Sequence, residues 1–332
     1  MRQLSRSLGR VVPGLALLVA LAVIARVVGD AVPALSPLIV AIAIGVVIAN
    51  SVGLPEVAAP GANRHKLLLE TAIVLLGAQL TLDAIVEAGG TVVVLATLVV
   101  LFGVLYLELL ARFVFGIDGG ARAVLAAGAS VCGVSAVLAV SGTVDVKESA
   151  VTYAVATILL FDAVTLVVFP AVEPLLDLTG QQFGIWAGLS LFSTGPTAAV
   201  GFAVSETAGR WATLTKLVRN CFIGVLAIGY ALRNATADAD SVSPTEVWTR
   251  FPKFLIGFLV VLVVANLGVL SQGALSSIER TTDWLFIIAF VGLGFDIEFH
   301  RLRAAGLRPV ALVLVHLTTV SVLTYTAVTL LF

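Results

Sequence analysis

The chain has 332 residues, 60% of them hydrophobic and 12% charged, with a net charge of −1 and a mean hydropathy of +1.12. A soluble domain carries about 25% charged residues, so the composition excludes an ordinary water-soluble enzyme, and the near-zero net charge gives no basic surface for nucleic acid. The apolar runs are long and continuous, as from Val92 to Leu107, which predicts membrane-spanning helices rather than the short alternating strands of a barrel.

Taken in chain order, Arg2, Arg6 and Arg10 precede an apolar run from Val11. That run resembles a secretory leader, but hydrophobic segments continue to the last residue, so it is read as the first transmembrane helix. Apolar runs of about 20 residues, bounded by charge or by Pro and Gly, place spans at 11–29, 34–53, 66–82, 90–115, 119–142, 148–169, 181–203, 207–232, 252–270, 284–299 and 308–332. The expected fold is an all-α polytopic membrane protein of about 9–11 transmembrane helices in one domain, 1–332, with a polar loop at 233–250 that contains Asp238, Asp240 and Pro244. The Lys/Arg bias puts the N-terminus in the cytoplasm and Phe332 outside, provided that an odd number of crossings lies between Arg122 and Glu206. Two of the three segments in that interval are rich in Gly, Ser, Thr and Pro: AGASVCGVSA at 127–136 and AGLSLFSTGPTAA at 187–199. Irregular backbone is tolerated at membrane depth where it is buried in protein or lines a cavity, so both segments are expected to be broken or re-entrant.

Two internal echoes accompany them. A shift of 60 residues lays Ala127, Gly128 and Ser130 on Ala187, Gly188 and Ser190, and a shift of 217 lays Gly77, Leu80, Ile85, Ala88 and Gly89 on Gly294, Ile297, Leu302, Ala305 and Gly306. The two imply different repeat orders, so they do not both fit one simple two-fold. Paired Gly-interrupted segments mark the binding sites of transporters built from inverted repeats, and an inverted repeat is expected here with its register open.

The strongest chemical signal is Lys216, Arg219 and Asn220 inside the apolar run 207–232. Their spacing puts them on one helix face, and two cations at membrane depth suit an anionic substrate. On this reading, neutralising Arg219 abolishes transport and leaves the protein folded. Asp162 is the one carboxylate buried in 148–169; it reads either as a proton or cation carrier or as the counter-ion of Lys216 or Arg219. Ser130, Ser135, Ser190, Ser193, Thr194 and Thr197 offer hydroxyls beside Gly133, Gly195 and Pro196, where the N-terminus of a broken helix's second half attracts anions. Cys132 reads as a small packing residue within this set, because no histidine lies in a nearby span to activate it. The three histidines, His65, His300 and His316, show no metal-ligand spacing, and no cofactor motif is present.

The segments PGANRHKLLLETAIVLLGAQL (60–80), GASVCGVSAVLAV (128–140), ATLTKLVRN (212–220), PKFLIGFLVVLVVANLGVL (252–270) and GLGFDIEFHRLRAAGLRP (292–309) resemble, in order and spacing, the YeiH-like family, described as sulfate exporters. The resemblance runs from about residue 12 to the C-terminus. It implies an inverted-repeat, crossed-broken-helix architecture similar to that of sodium–proton antiporters and bile acid symporters, working by alternating access. The family's cysteine-containing motif falls on Ser130, Cys132, Gly133 and Ser135, and its cationic helix on Lys216 and Arg219. Where the family carries a His-Glu pair after Gly-Leu-Ser, this chain has Phe192 and Ser193, followed by Thr194-Gly195-Pro196, which leaves Asp162 as a replacement acid.

The sequence therefore reads as an ion-gradient-driven secondary transporter of a small anion, a sulfate-like oxyanion, in the cytoplasmic membrane. Its expected partners are that anion, a coupling proton or sodium ion, the bilayer and a second copy of the chain. A monovalent cation–proton antiporter built on Asp162 is the alternative within transport. An intramembrane enzyme or a non-transporting scaffold is the alternative outside it; no buried catalytic constellation supports the former.

Overall fold

The computed structural model describes residues 2–32, 36–234, 253–302 and 305–332. It is helical throughout: α1 Arg2–Ala31, α2 Pro37–Ser51, α3 His65–Leu76, α4 Leu82–Phe113, α5 Gly119–Ala127, α6 Val134–Ser141, α7 Glu148–Val172, α8 Gly180–Ser190, α9 Thr194–Val204, α10 Glu206–Asn220, α11 Phe222–Asn234, α12 Phe254–Asn266, α13 Gln272–Phe295 and α14 Leu307–Leu331. Among the described residues, five helical stretches are long and apolar enough to cross a membrane, namely Arg10–Ala31, Gly89–Phe113, Glu148–Leu175, Glu206–Arg233 and Leu307–Leu331. The chain is thus a multi-pass membrane protein. Most of the polar loop expected at 233–250 lies outside the described residues. The span expected at 284–299 proves to be the second half of a longer helix that starts at Gln272, where Ser271 accepts from the Ala274 N–H as N-cap. A window searching for apolar runs passes over that polar first half.

The chain forms two compact units. The first comprises Met1–Val86 and Lys253–Phe299. Its helices pack through glycine contacts, as membrane helices do where small residues let backbones approach. A Cβ on Gly45 of α2 would collide with Val291 O and Gly294 of α13, and one on Gly77, just after α3, with Phe258 O of α12. The echo at 217 residues begins in this unit, with Gly77, Leu80 and Ile85 against Gly294 and Ile297, and runs on into the second. Asn50, at the end of α2, donates through Nδ2 to Val46 O (2.8 Å) and Ile297 O (2.7 Å), and its Oδ1 accepts from Phe299 N (2.7 Å). Asn266, at the end of α12, donates to Leu262 O (2.8 Å) and Leu80 O (2.9 Å) and accepts from Leu82 N (3.0 Å). The same side-chain amide closes the same backbone turn twice, since Leu80 and Leu82 stand 217 residues before Ile297 and Phe299.

The second unit comprises Glu87–Pro252 and His300–Phe332. The 60-residue echo belongs here: α5 and α6 are two halves of one interrupted helix, and α8 and α9 are two halves of another.

Candidate functional site

The first interruption begins where α5 widens into a π turn, Gly128–Cys132, closed by the Gly133 N–H donating to Gly128 O at 2.9 Å. Gly133 then takes φ 66° and ψ −136°, a backbone region open essentially to glycine alone. The second interruption is an extended stretch, Leu191 to Ser193, between α8 and α9. Pro196 is the third residue of α9, in the first turn, where a missing N–H costs no intrahelical bond. The two interruptions touch: a Cβ on Gly133 would land on Ser193 Oγ, and these two residues are 60 positions apart, at the register of the echo.

The first half of each interrupted helix ends in carbonyls that have lost their helical N–H partners, at the negative end of the helix dipole. Helix α10 supplies the replacement donors. Lys216 Nζ donates to Val131 O (2.7 Å) and Leu191 O (2.8 Å). Arg219 donates through Nη1 to Gly188 O (2.9 Å), Leu189 O (2.7 Å) and Leu191 O (2.7 Å), and through Nη2 to Ser130 O (2.8 Å). Each cation therefore bridges both interruptions, and both are almost wholly buried, at 0% and 1% exposure. Glycines make the close approach of α8 possible, since side chains on Gly184 and Gly188 would strike Ala208 O and Thr215 of α10.

The remaining polar groups gather round the start of α9. Asp162 of α7 is buried and accepts from Ser193 N (3.3 Å) and from Ser193 Oγ. Thr197 Oγ1 donates to Ser193 O at 2.7 Å, and Asn220 Nδ2 donates to Thr194 Oγ1 at 3.0 Å. Ser190 Oγ shares a hydrogen bond of 2.9 Å with Thr324 Oγ1 of α14. A carboxylate thus sits at the N-terminal, positive end of α9, while the first turn of α6 carries no acid.

The fold brings together nearly all the residues that sequence pattern singled out: Ser130, Cys132, Gly133, Asp162, Ser190, Ser193, Thr194, Thr197, Lys216, Arg219 and Asn220. Ser135 is the exception, being exposed on α6. Three roles differ from expectation. Most donors of Lys216 and Arg219 are engaged by backbone carbonyls, not held free for an anion. Asp162 bonds to Ser193 rather than directly to either cation. And a histidine does reach the second interruption: His316 of α14 is buried, with its ring 6.2 Å from that of Tyr106 and 6.4 Å from that of Phe192. The linear sequence shows only that His316 is a polar residue within an apolar run, an anomaly of the same kind that marks Arg219.

A family model described as Conserved hypothetical protein 698 matches residues 13–313. A "UPF0324 membrane protein" of Nitratidesulfovibrio vulgaris is 31% identical over 320 residues, covering 91% of this chain and 88% of the relative. The "UPF0324 inner membrane protein YeiH" of Escherichia coli is 29% identical over 321 residues, covering 93% and 91%. A "UPF0324 membrane protein" of Clostridium tetani is 26% identical over 288 residues, covering 81% and 82%. No solved structure matches the chain.

Proposed function

The chain belongs to the Conserved hypothetical protein 698 family, and on that premise we propose that it is an ion-gradient-driven secondary transporter of a small oxyanion across the cytoplasmic membrane, carrying its substrate without transforming it. The observation that supports this most directly is the meeting of two interrupted helices at Gly133 and Ser193, tied together by the buried Lys216 and Arg219. Such interruptions cost backbone hydrogen bonds, and at membrane depth they are kept where half-helix ends must face a substrate or a coupling ion. Positive charge at the negative helix ends leaves the N-terminal end of α6 as the anion-attracting feature of the crossing, since the matching end of α9 already holds Asp162. The paired Asn50 and Asn266 turns and the 60-residue echo support an inverted repeat of the kind that permits alternating access. The E. coli relative is named an inner-membrane protein, and the same location is proposed for this chain.

Asp162 supports a second reading. A buried carboxylate held by Ser193 at an interrupted helix is also what a cation–proton antiporter requires. Purified protein in liposomes distinguishes the two. Uptake of labelled sulfate, hydrogen sulfite, bicarbonate or formate, driven by an imposed proton or sodium gradient and lost in Asp162→Asn, supports anion transport. Proton–sodium exchange that needs no anion transfers the assignment to the antiporter, and absence of both fluxes refutes transport.

A further inference from the structure

Away from the crossing, the first unit buries a histidine whose two ring nitrogens both face acceptors. His65 is the first residue of α3 and is buried. Its Nδ1 lies 3.0 Å from Ala62 O. Its Nε2 lies 3.3 Å from Oδ2 of Asp296, the residue that ends α13. The ring is held against bare backbone, since a Cβ on Gly292 of α13 would fall 2.1 Å from His65 Cβ and 2.9 Å from its Nδ1. Lys66 Nζ stands 3.5 Å from the same Asp296 oxygen. The Asp296 side chain is 33% exposed, so protons reach the buried ring from water through it. The other charged groups near the pair are Arg64, Glu298 and His300 along the chain, and the exposed Arg10 of α1, next to the Val11 carbonyl against which Gly61 packs. Helices α2 and α12 carry no charged residue.

A backbone carbonyl only accepts, so Nδ1 must carry a hydrogen to bond to Ala62 O. An ionised carboxylate also only accepts, so Nε2 must carry one to bond to Asp296. An imidazole with hydrogen on both nitrogens is a cation. A neutral ring keeps one bare nitrogen in either tautomer, and here that lone pair would face an oxygen lone pair. Placing the proton on Asp296 instead satisfies the ring but removes the negative partner of Lys66. In both arrangements the closed contact holds one proton more than a neutral imidazole and a carboxylate have between them. We infer that His65 and Asp296 form a proton-binding site that latches the start of α3 to the end of α13, closed with the proton bound and loosened when it leaves. Histidine is the side chain suited to this, because it exchanges its proton in the physiological range. The latch is separate from Asp162 and does not depend on what the chain carries. The Lys/Arg bias that puts the N-terminus in the cytoplasm puts Arg64 and Lys66 there too, so the latch answers to cytoplasmic pH. The residues 217 positions from His65 and Asp296 in the echo are Thr282 and Gln79. Neither titrates, so the repeat-related end has no such latch.

NMR of the full chain in liposomes, labelled at its histidine ring nitrogens, reads the proton directly, since the chain has only three histidines. His65 is expected as an imidazolium protonated on both nitrogens at about pH 5.5, and as a neutral ring at about pH 8.5. His65→Gln assigns its signal, and if that variant does not fold, His300→Gln and His316→Phe assign it by elimination. Stability gives a second readout. The latch stabilises the protonated side, so its contribution is present at the lower pH and lost as pH rises. In Asp296→Asn the side-chain amide donates to a bare Nε2, and no extra proton is needed. Between the two pH values the wild-type melting temperature should therefore fall further than that of Asp296→Asn, by about 2–4 °C. A His65 ring already neutral at the lower pH overturns the inference. So does an equal pH dependence in wild type and Asp296→Asn, which marks a merely structural contact. If Asp296→Asn does not fold, the wild-type spectrum decides. None of these results bears on the anion-transport reading, which stands or falls by the flux measurements.

Discussion

Replacing Arg219 with leucine strips the donor from the carbonyls of Ser130, Gly188 and Leu189 at once, while Leu191 O keeps Lys216. Each buried carbonyl left unpaired costs about 1–3 kcal/mol, so the three together cost about 3–9 kcal/mol. Relief of repulsion between the two cations offsets part of this, and water entering the space of the lost guanidinium offsets more. Even the lower figure is large against a typical total stability of about 5–15 kcal/mol. Lys216→Leu leaves only Val131 O bare, at about 1–3 kcal/mol. The expected order of damage is therefore Arg219→Leu first and Lys216→Leu second. Arg219→Lys falls between them, since a single ammonium cannot span the Ser130 and Gly188 carbonyls as the guanidinium fork does. Thermal unfolding of purified protein, followed by the fluorescence of Trp186 and Trp211 beside these helices, measures the order. An Arg219→Leu protein melting within about 2 °C of the wild type, or a more damaged Lys216→Leu, would refute the reasoning. It would return Arg219 to the purely electrostatic role that the sequence suggests, in which neutralisation leaves the fold intact.

Gly133→Ala is expected to cost about 1–3 kcal/mol from backbone strain alone, with a further loss from contact with Ser193 Oγ. Adding Ser193→Ala should recover the contact portion and not the strain; a double variant as stable as Ser193→Ala alone, by denaturant unfolding, would contradict the glycine-only backbone. Asn50→Ala and Asn266→Ala each remove three hydrogen bonds of matched pattern. Their costs should therefore agree within about 1 kcal/mol, and a difference of several kcal/mol would show that the two turns are not equivalent.

What the sequence determined by itself follows from local physics. Apolar runs of membrane-spanning length and the surplus of apolar residues fix a polytopic helical protein, because lipid rewards that composition and water does not. Gly133 and the Leu191-to-Pro196 stretch announce interrupted helices, because glycine, proline and small hydroxyl residues are poor in mid-helix wherever they are not needed. Lys216 and Arg219 stand out because their cost at membrane depth demands a partner. Which partner was decided only by the tertiary structure. The carbonyls of Ser130, Val131, Gly188, Leu189 and Leu191 are present in every sequence and invisible in all of them until two helices are broken at the same place. Asp162 found Ser193 across 31 residues of chain, and Ser130 and His316, 186 residues apart, both came to pack against Gly103, separations that no periodicity encodes. Whether a cation at depth serves a substrate or the backbone depends on which acceptors the packing brings within hydrogen-bond distance.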